Sequence, residues 1–475
     1  MIIVETSPNR TDGKGNRHDV LERAGLHEGS SSTSNTSGPL PPPPYTSHTS
    51  YQPITDVVVV VYRQSPAQRF WKAFGVAVLI WFLIAAFTTS STDMAFNHGS
   101  GLFSDGGLSR PGQRDGTVHE CISGSDWAFK LNQSLNSFPH SAEVFLELPV
   151  DSDTLYLFTK GSQAGHLEIE QSKQPTDKVS VHVRVGYHTP EALRGVNVCR
   201  LERETRENGV GIYAPTLSHL SGHGQQLKFE VKIMLPAGKD GDALHIKAFE
   251  TDTSNYSQSV ADVWETTSFD RISLKTSNGN IKAKAVTAEN GSIRSSNGDI
   301  TGHFNIASSL ELITSNRPIT ASVSLLNREN GADSTLKMIT SNSAIDAKVD
   351  LVTHSGHGGS FKVETRTSNG PVTFEYTDMP VNSSLKSHIS SSNAAVKVKL
   401  HSNFEGSFNI ATSNAPAKLE KLTVGDPSGQ GRQRQVMVTQ KRQNKLEGSA
   451  YWSESKEING HSTVNTSNGR VQLVI

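Results

Sequence analysis

Residues 336–349 read LKMITSNSAIDAKV, and the alternation of apolar and polar residues changes phase at Asn342, in the middle of this stretch. Before Asn342, apolar side chains occupy even positions, as at Leu336 and Met338. After it they occupy odd positions, beginning at Ile345. Alternation with a period of two predicts β-strands. The change of phase therefore predicts two strands that present one common face to a core, joined by a tight corner that carries the asparagine.

The same corner, Thr/Ser-Ser-Asn followed three residues after the asparagine by Ile, Val or in one copy Ala, occurs eight times from Ile272 onward. The central asparagines are Asn278, Asn297, Asn316, Asn342, Asn369, Asn393, Asn414 and Asn468. Their spacings are 19, 19, 26, 27, 24, 21 and 54 residues. Periods of this size predict stacked supersecondary units. The last gap is about two periods long and contains the insertion 425–431, so we expect one degenerate unit there.

Either a β-solenoid or a meander of hairpins explains the change of phase, since Asn-Gly is a strong hairpin signal. Only four corners have glycine after the asparagine: Gly279, Gly298, Gly370 and Gly469. The others have Arg317, Ser343, Ala394 and Ala415, which tolerate positive φ poorly. This favours a β-solenoid of stacked 19–27-residue rungs over the meander. Stacked corners would align each asparagine with the next as a structural ladder. We expect Asn342 and Asn369 to be buried amides in it.

The repeat resembles the putative-adhesin family of β-solenoid domains, known from bacterial and fungal proteins for recurring Ser/Thr-x-Asn-Gly-x-Ile turns. The alternating strand 227–235, followed by Pro236-Ala237-Gly238, also resembles the usual opening of that family. The resemblance covers roughly residues 225–475. It implies a surface-exposed structural or adhesive role.

A membrane span is predicted outside this region. The 475-residue chain is 35% hydrophobic, but residues 70–90 carry only one charge, Lys72. A helix of about 20 such residues crosses a bilayer. Arg63 and Arg69 precede the stretch, so the positive-inside rule places residues 1–69 in the cytosol and the C-terminal part outside. We therefore expect a single-pass type II membrane protein, with a buried core helix as the alternative.

The remaining sequence divides by composition. Residues 1–69 form a polar tail predicted to be disordered, 91–118 a Gly/Ser-rich linker, 119–225 a less regular β-rich region and 226–475 the solenoid. In the tail, Pro42-Pro43-Pro44-Tyr45 resembles the Pro-Pro-x-Tyr ligand of WW-domain ubiquitin ligases. Pro42 and Pro43 would occupy an aromatic groove and Tyr45 the adjoining pocket. The alternative is a low-complexity linker.

Two features after the span are compatible with an exterior location. Cys121 and Cys199, the two cysteines of the chain, could form a disulfide in an oxidising compartment. Five Asn-x-Ser/Thr glycosylation motifs also follow the span: Asn132, Asn255, Asn290, Asn382 and Asn465. Asn9 and Asn35 match the motif before the span, so the motifs permit this topology without establishing it.

No catalytic motif, metal site or cofactor site is predicted. The sequence contains no Gly-x-Ser-x-Gly elbow, no His-Glu-x-x-His and no glycine-rich phosphate loop. Two Ser-Gly-His-Gly loops, 221–224 and 355–358, are compatible with metal binding or with simple turns. A basic cluster is compatible with anionic glycans or with a solvated loop: Arg432, Arg434, Lys441, Arg442 and Lys445. The net charge of −1 argues against a nucleic-acid partner.

The expected function is non-catalytic adhesion or scaffolding by a membrane-displayed solenoid, with a glycan or protein ligand outside and the bilayer as anchor. The first alternative is a trafficking or ubiquitin-ligase adaptor acting through the Pro-Pro-x-Tyr tail. The second is a polysaccharide-acting β-helix enzyme, for which a carboxylate pair would have to form across rungs.

Overall fold

A computed structural model describes residues 110–124, 126–130, 134–135, 137–215, 226–329, 331–452 and 460–475, within a unit that spans Leu102–Ile475. The predicted tail, the span 70–90 and most of the linker 91–118 lie outside these residues. In the described part of the chain, no helix combines the length and apolar character needed to span a membrane.

The described residues form an all-β structure, which confirms the predicted class. Their regular elements are β-strands and two short 3-10 helices, Gln113–Asp115 and Pro190–Leu193. The first nine strands are β1 (Thr117–Ser123), β2 (Ala128–Lys130), β3 (His140–Pro149), β4 (Thr154–Lys160), β5 (Ala164–Gln171), β6 (Lys178–Tyr187), β7 (Asn197–Glu202), β8 (Glu207–Tyr213) and β9 (Leu227–Leu235). The next are β10 (Leu244–Thr253), β11 (Tyr256–Asp262), β12 (Thr267–Thr276), β13 (Ile281–Ser295), β14 (Ile300–Ile313), β15 (Ile319–Asn327), β16 (Ser334–Ile339), β17 (Ile345–Thr353), β18 (Ser360–Thr367) and β19 (Val372–Asp378). The last are β20 (Ser384–Ser391), β21 (Val396–Lys399), β22 (Gly406–Thr412), β23 (Ala417–Glu420), β24 (Gln435–Arg442), β25 (Lys445–Tyr451), β26 (Gly460–Thr466) and β27 (Val471–Val474).

From β10 to β21 the strands form two parallel ladders. Strands that precede a corner pair with one another in the first ladder, in the order β10, β12, β13, β14, β16, β18, β20. Strands that follow a corner form the second ladder, in the order β11, β13, β14, β15, β17, β19, β21. The long strands β13 and β14 contribute one half to each ladder. A corner with its two flanking strands is therefore one rung, and successive rungs stack in register.

The core lies between the two ladders. The residues before each corner bury their apolar side chains, such as Ile272 and Leu274, and so do those after it, such as Ile281 and Ala283. The prediction of one common buried face is thus confirmed. A single apolar cluster continues from Trp127 in the N-terminal region to Ile475.

At the C-terminal end the order of the rungs departs from the order of the chain. β26 pairs in parallel with both β20 and β22, and β27 with both β21 and β23. The last rung of the sequence therefore lies between the two rungs that precede it. The prediction of a degenerate rung between Asn414 and Asn468 is wrong. In that part of the chain β24 and β25 form an antiparallel hairpin, which pairs with β22.

The N-terminal region shows the same two features. β4 and β5 pair in parallel with β10 and β11 on one side and with β8 and β9 on the other, so this rung is also out of chain order. The parallel stack thus extends before residue 226, the predicted start of the solenoid. Antiparallel strands then pair on its edge: β7 and β1 on β8, and β6, β3 and β2 on β9.

Candidate functional site

The corners place a row of asparagine side chains along one edge of the stack. Each side-chain nitrogen, Nδ2, donates to the side-chain oxygen, Oδ1, of the neighbouring corner at 2.6–2.8 Å. In spatial order the row is Asn255, Asn278, Asn297, Asn316, Asn342, Asn369, Asn393, Asn468 and Asn414. We call these nine residues the asparagine ridge. At about 4.8 Å per rung, its eight steps extend about 38 Å.

The ridge faces solvent, which corrects our expectation of buried amides. Asn342 and Asn369 are both exposed. The chain turns immediately after the buried Thr340, so the inward parity of the first strand does not continue to the asparagine. The ridge is therefore a surface feature.

A second ladder, made of hydroxyl groups, lies beneath the ridge. The Thr or Ser two residues before each asparagine is buried, and its Oγ donates at 2.9–3.1 Å to the carbonyl that follows the asparagine of the neighbouring corner. These residues are Thr276, Ser295, Thr314, Thr340, Thr367, Ser391, Thr412 and Thr466. In five of the eight corners the same Oγ accepts a hydrogen bond from the backbone N–H three residues later. We call this set the hydroxyl ladder.

Replacing Thr276 with Val should lower the free energy of unfolding by about 2 kcal/mol, because each buried group left unpaired costs about 1–3 kcal/mol. The hydroxyl of Thr276 donates to the Tyr256 carbonyl at 2.9 Å and accepts from the Gly279 N–H at 3.2 Å. Replacing the exposed Asn278 with Ala should cost less, since water can take over its hydrogen bonds. Chemical denaturation measures the free energy of unfolding of both variants. Equal losses would mean that the hydroxyl ladder does not stabilise the corner more than the asparagine ridge does.

The four corner glycines are required by close contact rather than by a left-handed backbone. Gly279, Gly298, Gly370 and Gly469 are not among the residues with positive φ. A Cβ atom on any of them would overlap a backbone carbonyl of the neighbouring rung, which for Gly298 is the carbonyl of Gly279. Hairpin turns of the Asn-Gly type are therefore not what these glycines form.

Replacing Gly298 with Ala should destabilise the protein by about 1–3 kcal/mol, the usual cost of inserting a methyl group into a closely packed site. Gly425 provides a matched control, because a Cβ there meets no atom within 4 Å and its φ is not positive. Gly425→Ala should be neutral or slightly stabilising. Thermal melts compare the two. A neutral Gly298→Ala would show that this corner relaxes to accept a side chain, as the corner at Arg317 does.

Asn255 is a ridge member outside the eight predicted corners, because the position three residues later holds Gln258 instead of an apolar residue. Gln258 is buried, and hydrogen bonds satisfy its amide: Oε1 accepts from Thr251, while Nε2 donates to Thr253 and to the Lys275 carbonyl. The triplet Thr253-Ser254-Asn255 was the available signal. The triplet without the apolar residue after it is therefore enough to indicate this rung.

The predicted cysteine pair lies at the N-terminal end of the stack. Cys121 on β1 and Cys199 on β7 are direct partners across the antiparallel pair, and the structure joins them by a disulfide. The bond ties the edge strand β1 to its neighbour.

A buried ion pair lies at the same end. Asp115 is 8% exposed and accepts from Lys160 Nζ at 2.6 and 2.7 Å and from the Tyr213 hydroxyl at 3.0 Å. Burial alone raises the pKa of Asp115, but hydrogen bonds from Lys160 and from the Gly112 N–H hold it below its ordinary value. Burial, together with the charge of Asp115, raises the pKa of Tyr213. The cluster fixes the segment before β1 to strands β4 and β8.

The structure divides the predicted basic cluster. Arg432 pairs with Asp426 at 2.9 Å, and Lys445 pairs with Glu447 at 2.6 Å. Arg434 packs near the Trp452 ring and donates to the Phe404 carbonyl, and burial lowers the pKa of its guanidinium to about 10. Lys441 and Arg442 are exposed. Because three of the five cations have partners within the protein, the cluster is a weaker anion site than the sequence indicated.

Two further candidates concern metal and substrate binding. In the loop 355–358, Gly356 and Gly358 have positive φ, so the turn itself requires them. The described residues contain no group of three or more His, Cys, Asp or Glu arranged to hold a metal, and the other loop, 221–224, lies outside them.

An open cavity of about 590 Å³ has four carboxylates in its lining: Glu170, Asp242, Asp262 and Glu265. The enzyme alternative would be tested there first, since glycoside hydrolysis uses two carboxyl groups.

The remaining predicted sites differ in where they lie. Pro42, Pro43, Tyr45 and Asn132 are outside the described residues. Asn255 belongs to the ridge and donates to the Ser162 carbonyl, while Asn290 accepts from Ser309. Asn465 is half-buried on β26, whereas Asn382 is exposed in a turn at a φ of 60°. Among the four described glycosylation motifs, Asn382 is thus the most accessible.

A family model described as Domain of unknown function (DUF7330) matches residues 289–473. The match includes ridge residues from Asn297 to Asn468, and its description names no activity. None of the curated proteins compared with the chain is significantly similar to it.

The chain is similar to solved structures of a putative cell adhesion protein from Clostridium sporogenes and of putative adhesins from Bacteroides fragilis and Parabacteroides distasonis. Sequence identities are 8%, 9% and 11%, and TM-scores are 0.17, 0.27 and 0.30, respectively. Each similarity covers 70% of this chain and 99%, 96% and 96% of the respective neighbour. Identities and TM-scores this low assign neither fold nor function to the chain.

Proposed function

We propose that the protein is a single-pass membrane protein whose exterior part, a β-solenoid, serves adhesion or scaffolding rather than catalysis. The asparagine ridge is the observation that supports this most directly. It is a long, exposed and regular surface of one chemical type, which suits a repetitive ligand better than a small substrate.

The chemistry of the ridge favours a ligand rich in hydroxyl groups. A carboxamide has two N–H donors and an oxygen with two lone pairs, and the ladder uses one donor and one lone pair of each interior amide. Each rung can therefore offer both a donor and an acceptor at a fixed spacing. A glycan polymer, whose hydroxyls both donate and accept, is the ligand class that we propose.

Substitutions on the ridge should reduce ligand binding without unfolding the protein. The test variant replaces three consecutive ridge residues with Ala: Asn316, Asn342 and Asn369. The matched control replaces outward residues of the same three rungs on the second ladder: Thr320, Asp346 and Thr373, all exposed. Cells that express the full chain are screened on a glycan array. We expect the ridge variant to lose glycan-binding signals that the control variant retains. Equal glycan binding by the two variants would contradict the proposal.

The proposed location places residues 1–69 in the cytosol and the solenoid in an extracellular or luminal compartment. It is supported by the apolar stretch 70–90 and by the cations before it. Endoglycosidase should then sharpen the protein on gels, and Asn382→Gln should remove the largest share of the glycan. Protease added to intact cells or vesicles should show which side carries residues 118–475. Cytosolic exposure of that part would contradict the topology.

The Pro-Pro-x-Tyr motif favours a second candidate function, a trafficking adaptor that recruits a WW-domain ligase. The same tail contains Lys14, the proposed acceptor of ubiquitin from such a ligase. Tyr45→Ala and Lys14→Arg should both lengthen the half-life of the protein after synthesis is blocked. Unchanged decay in both variants would leave the proline run as a linker.

A further inference from the structure

The C-terminal rung, residues 460–475, lies in a slot between two rungs that precede it in the chain. Thr466 of this rung is in register with Ser391 on one side and with Thr412 on the other. On the second ladder, Val471 lies between Val396 and Ala417. The rung is thus held by parallel pairing on both sides in both ladders.

The two flanking rungs are also complementary to each other. Both run in the same direction and both carry the corner signature, with Ser391 and Asn393 on one and Thr412 and Asn414 on the other. The Thr412 hydroxyl donates to the Gly469 carbonyl just as the Thr466 hydroxyl donates to that of Ala394. The slot between them therefore offers matching hydrogen-bonding groups on both sides to a rung that carries this signature.

A withdrawn rung would expose a strongly apolar face. Val464, Val471, Leu473 and Ile475 are each at most 1% exposed in the slot. The slot also selects for this rung, because a Cβ at Gly469 would overlap the Ala394 carbonyl and one at Gly460 would contact the Glu405 carbonyl. The surface that matches the rung in register, polar partners and glycine pattern is the same slot in a second copy of the chain.

We propose that two copies of this protein associate by exchanging their C-terminal rungs, each copy filling the slot of the other. The partner is a second copy, and the contact is the pairing of residues 460–475 with β20–β23. This association goes beyond the glycan binding proposed above and does not depend on it.

A cross-link between partner strands tests the exchange in the full chain. His388 on β20 and Thr463 on β26 are neighbours in register and lie outside the core. The double variant His388→Cys/Thr463→Cys is co-expressed with two different tags and treated with a short bismaleimide. Exchange links the two tags covalently, whereas an unexchanged rung links only within one chain.

The control Lys337→Cys/Glu364→Cys occupies the same column on rungs that are internal to the chain. We expect several-fold more mixed-tag dimer from the first pair than from this control. Adding Gly469→Val, whose side chain would keep the rung from fitting against the Ala394 carbonyl in the slot, should abolish the excess while random collisions would persist. Equal dimer from the two pairs, or an excess that survives Gly469→Val, overturns the proposal. A loss of glycan binding in the ridge variant would not change this result.

Discussion

Replacing both Cys121 and Cys199 with Ser is expected to lower the free energy of unfolding by about 4 kcal/mol. The pair closes a sequence separation of 78 residues, and in the chain-entropy model a loop of this size constrains the unfolded chain by roughly 4–5 kcal/mol. The affected contact lies at the N-terminal end, where β1 is an edge strand paired with β7. Chemical denaturation of the variant and of the oxidised parent protein measures it.

A reduced sample of the parent protein is the matched control, since it removes the bond without changing the sequence. Its unfolding midpoint should shift in the same direction as that of the double variant. Thiol labelling under non-reducing, denaturing conditions provides an independent check. Labelling of both cysteines in protein denatured without a reductant would contradict the bond, and so would a double variant as stable as the parent.

The local geometry of the rungs could be predicted from the sequence because each signal involves neighbouring residues. Alternation with a period of two around Asn342 determined which side chains are buried, and the change of phase located the corner. The same parity rule failed by one step at the asparagine itself. Thr340 is the last inward residue, and the turn after it directs Asn342 outward.

The spatial order of the rungs could not be predicted because all corners carry nearly the same residues. Nothing in the sequence around Asn414 or Asn468 distinguishes which of them should pair with Asn393, and the structure selects Asn468. The antiparallel strands at both ends were missed for a related reason. Alternation in β6 or β24 predicts a strand, but it does not state whether that strand pairs in parallel or antiparallel.

The cluster around Asp115 was also beyond sequence reasoning. Lys160 and Tyr213 lie 45 and 98 residues from Asp115 in the chain, and no motif links them. Burial of a single aspartate in a 3-10 helix depends on the arrangement of β4 and β8. A buried charge of this kind becomes visible only when its partners are placed in space.

Replacing Lys160 with Met should lower the free energy of unfolding by about 3 kcal/mol. Breaking one side of a buried ion pair costs roughly 3–5 kcal/mol, and the low end applies because Lys160 keeps 30% of its side-chain surface exposed. The double variant Asp115→Asn/Lys160→Met should recover much of the loss, since it leaves no unpaired buried charge. Equal stabilities of the single and double variants would show that the two residues are not coupled.

The dependence of stability on pH should distinguish this ion pair from simple packing. In the parent protein the pKa of Asp115 lies below its ordinary value of 3.8, so the native state holds the carboxylate form more strongly than the unfolded chain does. The stabilisation is therefore complete above about pH 5 and is lost as the pH falls through the native pKa. Without Lys160, burial still raises the pKa of Asp115 while two of the effects that lower it are lost, so this pKa moves upward and the stabilisation becomes smaller. Lys160→Met should accordingly lose less stability than the parent between about pH 5 and pH 3, as measured by thermal melts across that range. Parallel pH profiles for the two proteins would show that Asp115 does not depend on Lys160 for its charge.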